Sequence, residues 1–88
     1  MVSQKVLVGS ALGIHLRPAG AMCDKAIQFT SKVTMRYGEG KDANAKSVIS
    51  ILASGVKCGQ EVEIIAEGED EQEALKQVVA AFEAALVD

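Results

Sequence analysis

The order of elements readable in this 88-residue sequence predicts an α/β (α+β) fold. The expected form is an open-faced sandwich, with three helices on one side of a four-stranded antiparallel sheet. Three observations predict it. Four short segments have the apolar character of strands, two long segments carry apolar residues at helical spacing, and the elements run β-α-β-β-α-β-α. Right-handed crossovers from strand one to two and from strand three to four leave space for the last strand between the first two. The expected strand order is therefore 1-4-2-3.

Lys5-Val6-Leu7-Val8 reads as the first strand, and Gly9 to Gly13 as a loop with two glycines. From Pro18 onward, Ala19, Met22, Cys23, Ala26 and Ile27 recur at helical spacing, with Asp24, Lys25 and Gln28 mostly opposite. Phe29 plugs the helix end, and Thr30-Ser31 breaks it. Lys32 to Tyr37 alternates, with Val33, Met35 and Tyr37 on one face, and Gly38-Glu39-Gly40 supplies a hairpin turn. The return strand, Lys41 to Ala45, is weak in β-propensity and belongs at an edge, where Lys41 and Asp42 discourage pairing with other molecules. Ser47 caps a short helix with Val48, Ile51 and Leu52 inward, Ile49 turned elsewhere and Gly55 at its end. Glu61 to Ala66 is a strand with Val62, Ile64 and Ala66 facing the core. Asp70 then caps a long helix, with Glu73 in capping-box position and a stripe of Leu75, Val78, Val79, Phe82 and Leu86. The uncovered sheet face carries Lys32, Thr34, Arg36, Glu61 and Glu63.

The composition narrows the function. Residues 1–88 fit one domain, small enough that a core and a roofed cavity cannot both be built. The chain is 49% apolar with two Phe, one Tyr and no Trp, so its core is aliphatic and any chemistry belongs on the surface, completed by a partner. A formal charge of -3, no basic run and no aromatic platform argue against nucleic acid. Cys23 and Cys58 are isolated, which favours free thiols over a disulfide or a structural zinc site. No apolar run reaches membrane-spanning length and the N-terminus does not resemble a signal peptide, so a reduced cytoplasmic setting is expected. No metal and no cofactor are expected.

The chemistry gathers at the one histidine, in Gly13-Ile14-His15-Leu16-Arg17-Pro18-Ala19, just where the first helix begins. A helix start offers N–H groups that no preceding carbonyl can take up, and its dipole favours an anion. Pro18 suits the first turn because its missing N–H costs little there. The amides of Leu16 and Arg17 are candidate oxyanion donors, and the Arg17 fork matches phosphate oxygens. Gly13 keeps side-chain bulk away from the approach, while Ile14, Leu16 or both tuck inward. The same field disfavours an imidazolium by roughly 0.3–1 kcal/mol, leaving a ring nitrogen free to attack. On residues alone, the bland alternative stays open: a solvated or structural histidine. Neither a metal chelate nor a hydrolase triad from Ser10 and Asp24 has the partners it needs.

The motif around His15 resembles the phosphorylation site of HPr, the histidine-containing phosphocarrier family of the sugar phosphotransferase system. The resemblance extends over essentially the whole chain and includes Asn44-Ala45-Lys46-Ser47-Val48-Ile49. It implies that His15 Nδ1 accepts a phosphoryl group from enzyme I, which took it from phosphoenolpyruvate, and passes it to IIA domains of sugar permeases. It makes Arg17 the electrostatic partner and gives Leu16 and Pro18 the shaping of the helix entry. The protein would be a monomeric relay with a covalent phosphohistidine intermediate, not a stand-alone enzyme. Ser47 matches the regulatory serine of Gram-positive members, which implies HPr kinase/phosphorylase and the catabolite control regulator as further partners. Ile49 and Leu52 match the apolar docking skin, and Gly20, Asp24 and Ile27 lie on the partner side of the first helix.

This chain departs from the family pattern in places. Its hairpin is one residue longer than is common, Asp24 and Ile27 stand where many relatives are basic or polar, and Ser50 and Ser54 replace a frequent glycine and leucine. Two other functions therefore stay in view. One is a regulatory binding module acting mainly through phospho-Ser47; the other, weaker, is a small nucleic-acid-binding domain of similar topology.

Overall fold

The computed structural model describes residues 1–87. Its elements are β1 (Val2–Leu7), α1 (Leu16–Ala26), β2 (Lys32–Gly38), β3 (Lys41–Asn44), α2 (Val48–Ala53), β4 (Glu61–Glu67) and α3 (Glu71–Ala85). The sheet order is β1-β4-β2-β3 and every pair is antiparallel, as expected. Period-two alternation sends Val33, Met35, Val62, Ile64 and Ala66 into the core against Met22, Ala74, Val78 and Phe82 of the long helices. The opposite sheet face is polar, and Arg36 there donates to Asp42 through Nε at 2.8 Å and Nη2 at 3.2 Å.

Several boundaries differ from the sequence reading. β1 starts at Val2, because the ladder to β4 continues through Ser3 and Gln4 to the Val2–Ala66 pair despite their polar side chains. Val8 leaves the strand yet stays buried, exchanging backbone hydrogen bonds with Gln60 and Gly59. β3 ends at Asn44, since the Ala45 amide turns to the Val33 carbonyl. α1 begins at Leu16, two residues before Pro18, which leaves Pro18 at the third helical position and buried.

Three side-chain assignments are corrected. Ile27 is the C-cap of α1 and is 58% exposed. The buried stripe runs through Pro18, Ala19, Met22 and Ala26, and Ile27, three residues after the exposed Asp24, falls on the opposite side. Leu52, expected inward, is 38% exposed, and Ile51 alone is fully buried in α2. Asp70 occupies the N-cap of α3 without capping it. Its carboxylate instead accepts from the Thr30 and Ser31 amides at 2.9 Å each and from the Ser31 hydroxyl. The Ser31 hydroxyl, then the Thr30 amide, hold this carboxyl down to about 2. Glu73 accepts from Gln77, and it is Glu71 that reaches back to the Gly68 amide at 3.1 Å. Glu71 also meets the N-terminal ammonium at 2.8 Å, and that bond is the main cause of its lowered pKa. The reassigned Asp70 ties the α1–β2 turn to the start of α3.

Candidate functional site

His15 is the N-cap of α1, in extended backbone (φ -109°, ψ -169°), and its side chain makes no capping hydrogen bond. Its carbonyl accepts from the Ala19 amide at 3.0 Å, while Pro18 has no N–H to offer. No group among the described residues takes up the amides of Leu16 or Arg17. The helix therefore presents its positive end and two unclaimed donors beside the imidazole.

The ring is half-buried, and Nε2 is its enclosed end. It is the one buried side-chain nitrogen or oxygen without a hydrogen-bond partner among the described residues. An unsatisfied buried polar atom costs about 1–3 kcal/mol, so this orientation is imposed by the surrounding chain. It leaves Nδ1 as the ring nitrogen available to an incoming group.

The loop before the ring is braced from below. The Gly13 amide donates to Ser10 O at 2.9 Å, and the Ile14 amide donates to Val56 O at 3.1 Å. Ile14 is buried while Leu16 is 67% exposed, so the inward anchor is Ile14 alone. Gly13 has φ +68°, and a Cβ there would lie 2.6 Å from Val56 O and 2.8 Å from Lys57 Cα. Its glycine is thus required by the close pass of the 56–58 segment, rather than by clearance for an incoming group.

Arg17 lies at the second helical position and its guanidinium donates to Val87 O at 2.6 Å. Nothing in the local sequence announces this contact, which spans 70 residues. It follows from Leu86, whose burial at the end of α3 brings the next carbonyl to the start of α1.

Ser47 is the N-cap of α2, its hydroxyl accepting from the Ser50 amide at 3.2 Å and its own amide donating to Asn44 O at 3.0 Å. Ser50 Oγ accepts in turn from the Asn44 amide at 2.8 Å. The α1 side is joined to this corner by Cys23, whose thiol donates to Lys46 O at 3.3 Å, and by Lys46, whose ammonium donates to Phe29 O at 2.7 Å. Both cysteines are free; Cys23 is half-buried and Cys58 exposed. Of the other expected contact residues, Ile49 is 81% exposed, Asp24 is exposed and Gly20 is half-buried. No helix of the described residues is long and apolar enough to cross a membrane, and no group of three His, Cys, Asp or Glu among them could hold a metal ion.

The arrangement suits reversible capture of a small dianion on a ring nitrogen. The phosphorylation-site model of the PTS HPr component matches residues 2–84. The HPr-like protein Crh of Bacillus subtilis is 45% identical over 80 residues, covering 91% of this chain and 93% of Crh. The phosphocarrier protein NPr of Proteus mirabilis is 40% identical over 80 residues, covering 91% and 89%. Among solved structures, a mycoplasma histidine-containing phosphocarrier protein superposes with a TM-score of 0.91 at 28% identity over 99% of both chains. A crystal structure of Bacillus subtilis Crh, described as a domain-swapped dimer, matches with a TM-score of 0.73 at 41% identity over the whole of both chains.

Proposed function

The chain belongs to the HPr family of phosphocarrier proteins, and from that premise we propose that it accepts a phosphoryl group on His15 Nδ1 from phosphorylated enzyme I and delivers it to IIA domains of sugar permeases. The observation that carries this reading is the N-cap position of His15 beside the unclaimed Leu16 and Arg17 amides. In the transfer, the Nδ1 lone pair forms the N–P bond as the bond between phosphorus and the donor breaks, its electron pair leaving with the donor. Attack by Nδ1 requires its lone pair to be free, so the reacting form is the tautomer with the ring proton on Nε2, and no proton has to leave Nδ1. The amides and Arg17 then partly neutralise a group of about two negative charges. Leu16 and Pro18 set the direction of the helix entry. The stabilisation has to stay modest, because the cargo must be released downstream.

A second reading is favoured by Ser47. Its hydroxyl already sits at a helix N-terminus, where a phosphate meets amide donors and places charge beside the exposed Ile49 and Leu52. Ser47 is accordingly proposed as a regulatory site for HPr kinase/phosphorylase, with the modified protein acting on the catabolite control regulator. The similarity to Crh supports a chain that works chiefly this way.

Incubation with enzyme I and phosphoenolpyruvate, followed by intact-mass measurement, separates the two. Acid-labile phosphate lost in His15→Ala supports the carrier. Labelling by the serine kinase alone, lost in Ser47→Ala, supports the regulator. The protein is further proposed to act as a cytoplasmic monomer, its outer sheet face being polar. Since the Crh crystal structure is a swapped dimer, light scattering at working concentration is the deciding measurement, and a stable dimer would overturn the monomer.

A further inference from the structure

We infer that the free edge of β1 is a docking site for an extended segment of another protein, which pairs with the strand and lays apolar and basic side chains against α3. The edge belongs to β1 and α3, and its use does not depend on phosphoryl transfer at His15.

The two edges of the sheet are unlike. β3 is four residues long, carries Lys41 and Asp42, follows a register shift between Arg36 and Gly38, and has its Asn44 amide taken by Ser50 Oγ. Such features guard an edge against other strands. β1 is six residues long, with no proline, no register shift and one charged side chain, Lys5. Val8 exchanges hydrogen bonds with Gln60 and Gly59, so Val2, Gln4 and Val6 also turn their backbone groups toward β4. The N–H and C=O groups of Ser3, Lys5 and Leu7 therefore point away from the sheet, and none has a partner among the described residues.

A groove accompanies this edge. It has a volume of about 450 Å³ and runs between Gln4 and the Leu75, Val79 and Ala80 side of α3, with Lys76 and Glu83 also lining it. A second hollow of about 340 Å³ shares Glu83 and continues past Leu7 to Val87. Leu7 and Val87 are large apolar side chains that the core leaves exposed. A strand placed about 4.8 Å beyond β1 has alternate side chains over this groove and the others beside Ser3, Lys5 and Leu7. A free strand next to a helix captures extended peptides in this way: main-chain hydrogen bonds supply affinity, and the pockets for alternate side chains supply choice.

Charge names the occupant. The Glu83 carboxylate has no hydrogen-bond or ion-pair partner among the described residues, so a basic side chain laid in the groove meets a free negative charge where the two hollows join. On the outer face, Lys5 favours an acidic neighbour. A second copy of the chain fits poorly. The antiparallel register that overlaps the outward groups of both β1 strands sets Lys5 opposite Lys5, like charge against like. A strand of another sequence has no such conflict.

The probe is a blocked peptide, Lys-Thr-Val-Glu-Val-Thr-Lys, titrated into the full chain with amide NMR shifts and hydrogen exchange as readouts. Exchange at Ser3, Lys5 and Leu7 should slow at least tenfold at saturation. A peptide N-methylated at its glutamate should not bind, and one ending in glutamates instead of lysines should bind about threefold to fivefold more weakly. Glu83→Lys should remove that difference. Lys5→Pro should weaken binding about tenfold while the fold survives, because its N–H lies outside the ladder. The N-methylated peptide makes the same test from the partner's side if Lys5→Pro does not fold. Unprotected Ser3, Lys5 and Leu7 amides, equal binding of the N-methylated peptide, or displacement of the probe by enzyme I overturns the inference. Protection of the same amides by raising the protein concentration alone would assign the edge to a second copy and overturn the foreign strand.

Discussion

The Arg17 guanidinium is held by the Val87 carbonyl at 2.6 Å, so the side chain best suited to a phosphoryl group rests on the backbone just past the C-cap of α3. The contact is solvent-exposed and made to a neutral acceptor, so a doubly charged group at His15 competes for the same fork. We therefore expect Arg17→Ala to leave the fold intact and to slow phosphoryl transfer about tenfold to a hundredfold, the loss of one charge-assisted interaction. Single-turnover transfer kinetics with circular dichroism as a fold control check this. A rate within twofold of the wild type would show that Arg17 never leaves Val87.

Ser47 has a structural duty whether or not it is modified. Its hydroxyl satisfies the Ser50 amide at the start of a six-residue helix. Ser47→Ala should cost about 1 kcal/mol, seen as a fall in melting temperature of about 4–8 °C. Ser47→Asp should recover most of it, since a carboxylate caps equally well and suits the helix dipole. Thermal unfolding of the three proteins decides the matter.

Gly13 is predicted to be the least replaceable residue of the His15 loop. Alanine there combines a left-handed backbone with a clash against the Val56 carbonyl and Lys57 Cα. Gly13→Ala should lose about 1–3 kcal/mol of stability. Because the Ile14 amide bond to Val56 is displaced at the same time, His15 phosphorylation should fall in parallel. A stable variant labelled at the normal rate would show the loop to be looser than its hydrogen bonds imply.

Asp70 makes the fold sensitive to acid. Its carboxyl lies at about 2, chiefly through the Ser31 hydroxyl, against about 3.9 in an unfolded chain. A depressed folded-state value means that the stabilisation is complete above about pH 4 and is lost as the pH falls toward 2. Denaturant unfolding of the wild type and Asp70→Asn across pH 2–6 should give curves well separated at pH 6 that converge toward pH 2. Curves that stay parallel would assign the effect of Asp70 to packing alone.

The strands and helices, their order, and the strand arrangement are legible in the sequence, because each depends on local periodicity and on the handedness of crossovers. The His15 motif was legible for a related reason. A histidine immediately before a helix start needs only local geometry to bring amide donors to its ring. Ser47 was legible in the same way, as a cap close in sequence to the amide it satisfies.

What the sequence left open involved contacts between distant segments. Asp70 and Glu73 carry the pattern of a capping box, but Thr30 and Ser31, 40 and 39 residues away, offer the Asp70 carboxylate three donors. Gly13 looked like room for a ligand and is instead shaped by residues 56–58. The resting place of Arg17 and the enclosure of His15 Nε2 likewise have no local signature. Hydrogen-bond spacing along the chain set the elements and put a histidine at a helix entrance. Only the packing of distant segments determined which ring nitrogen is enclosed, that the carbonyl past the end of α3 already engages Arg17, and which large apolar side chains the core leaves exposed.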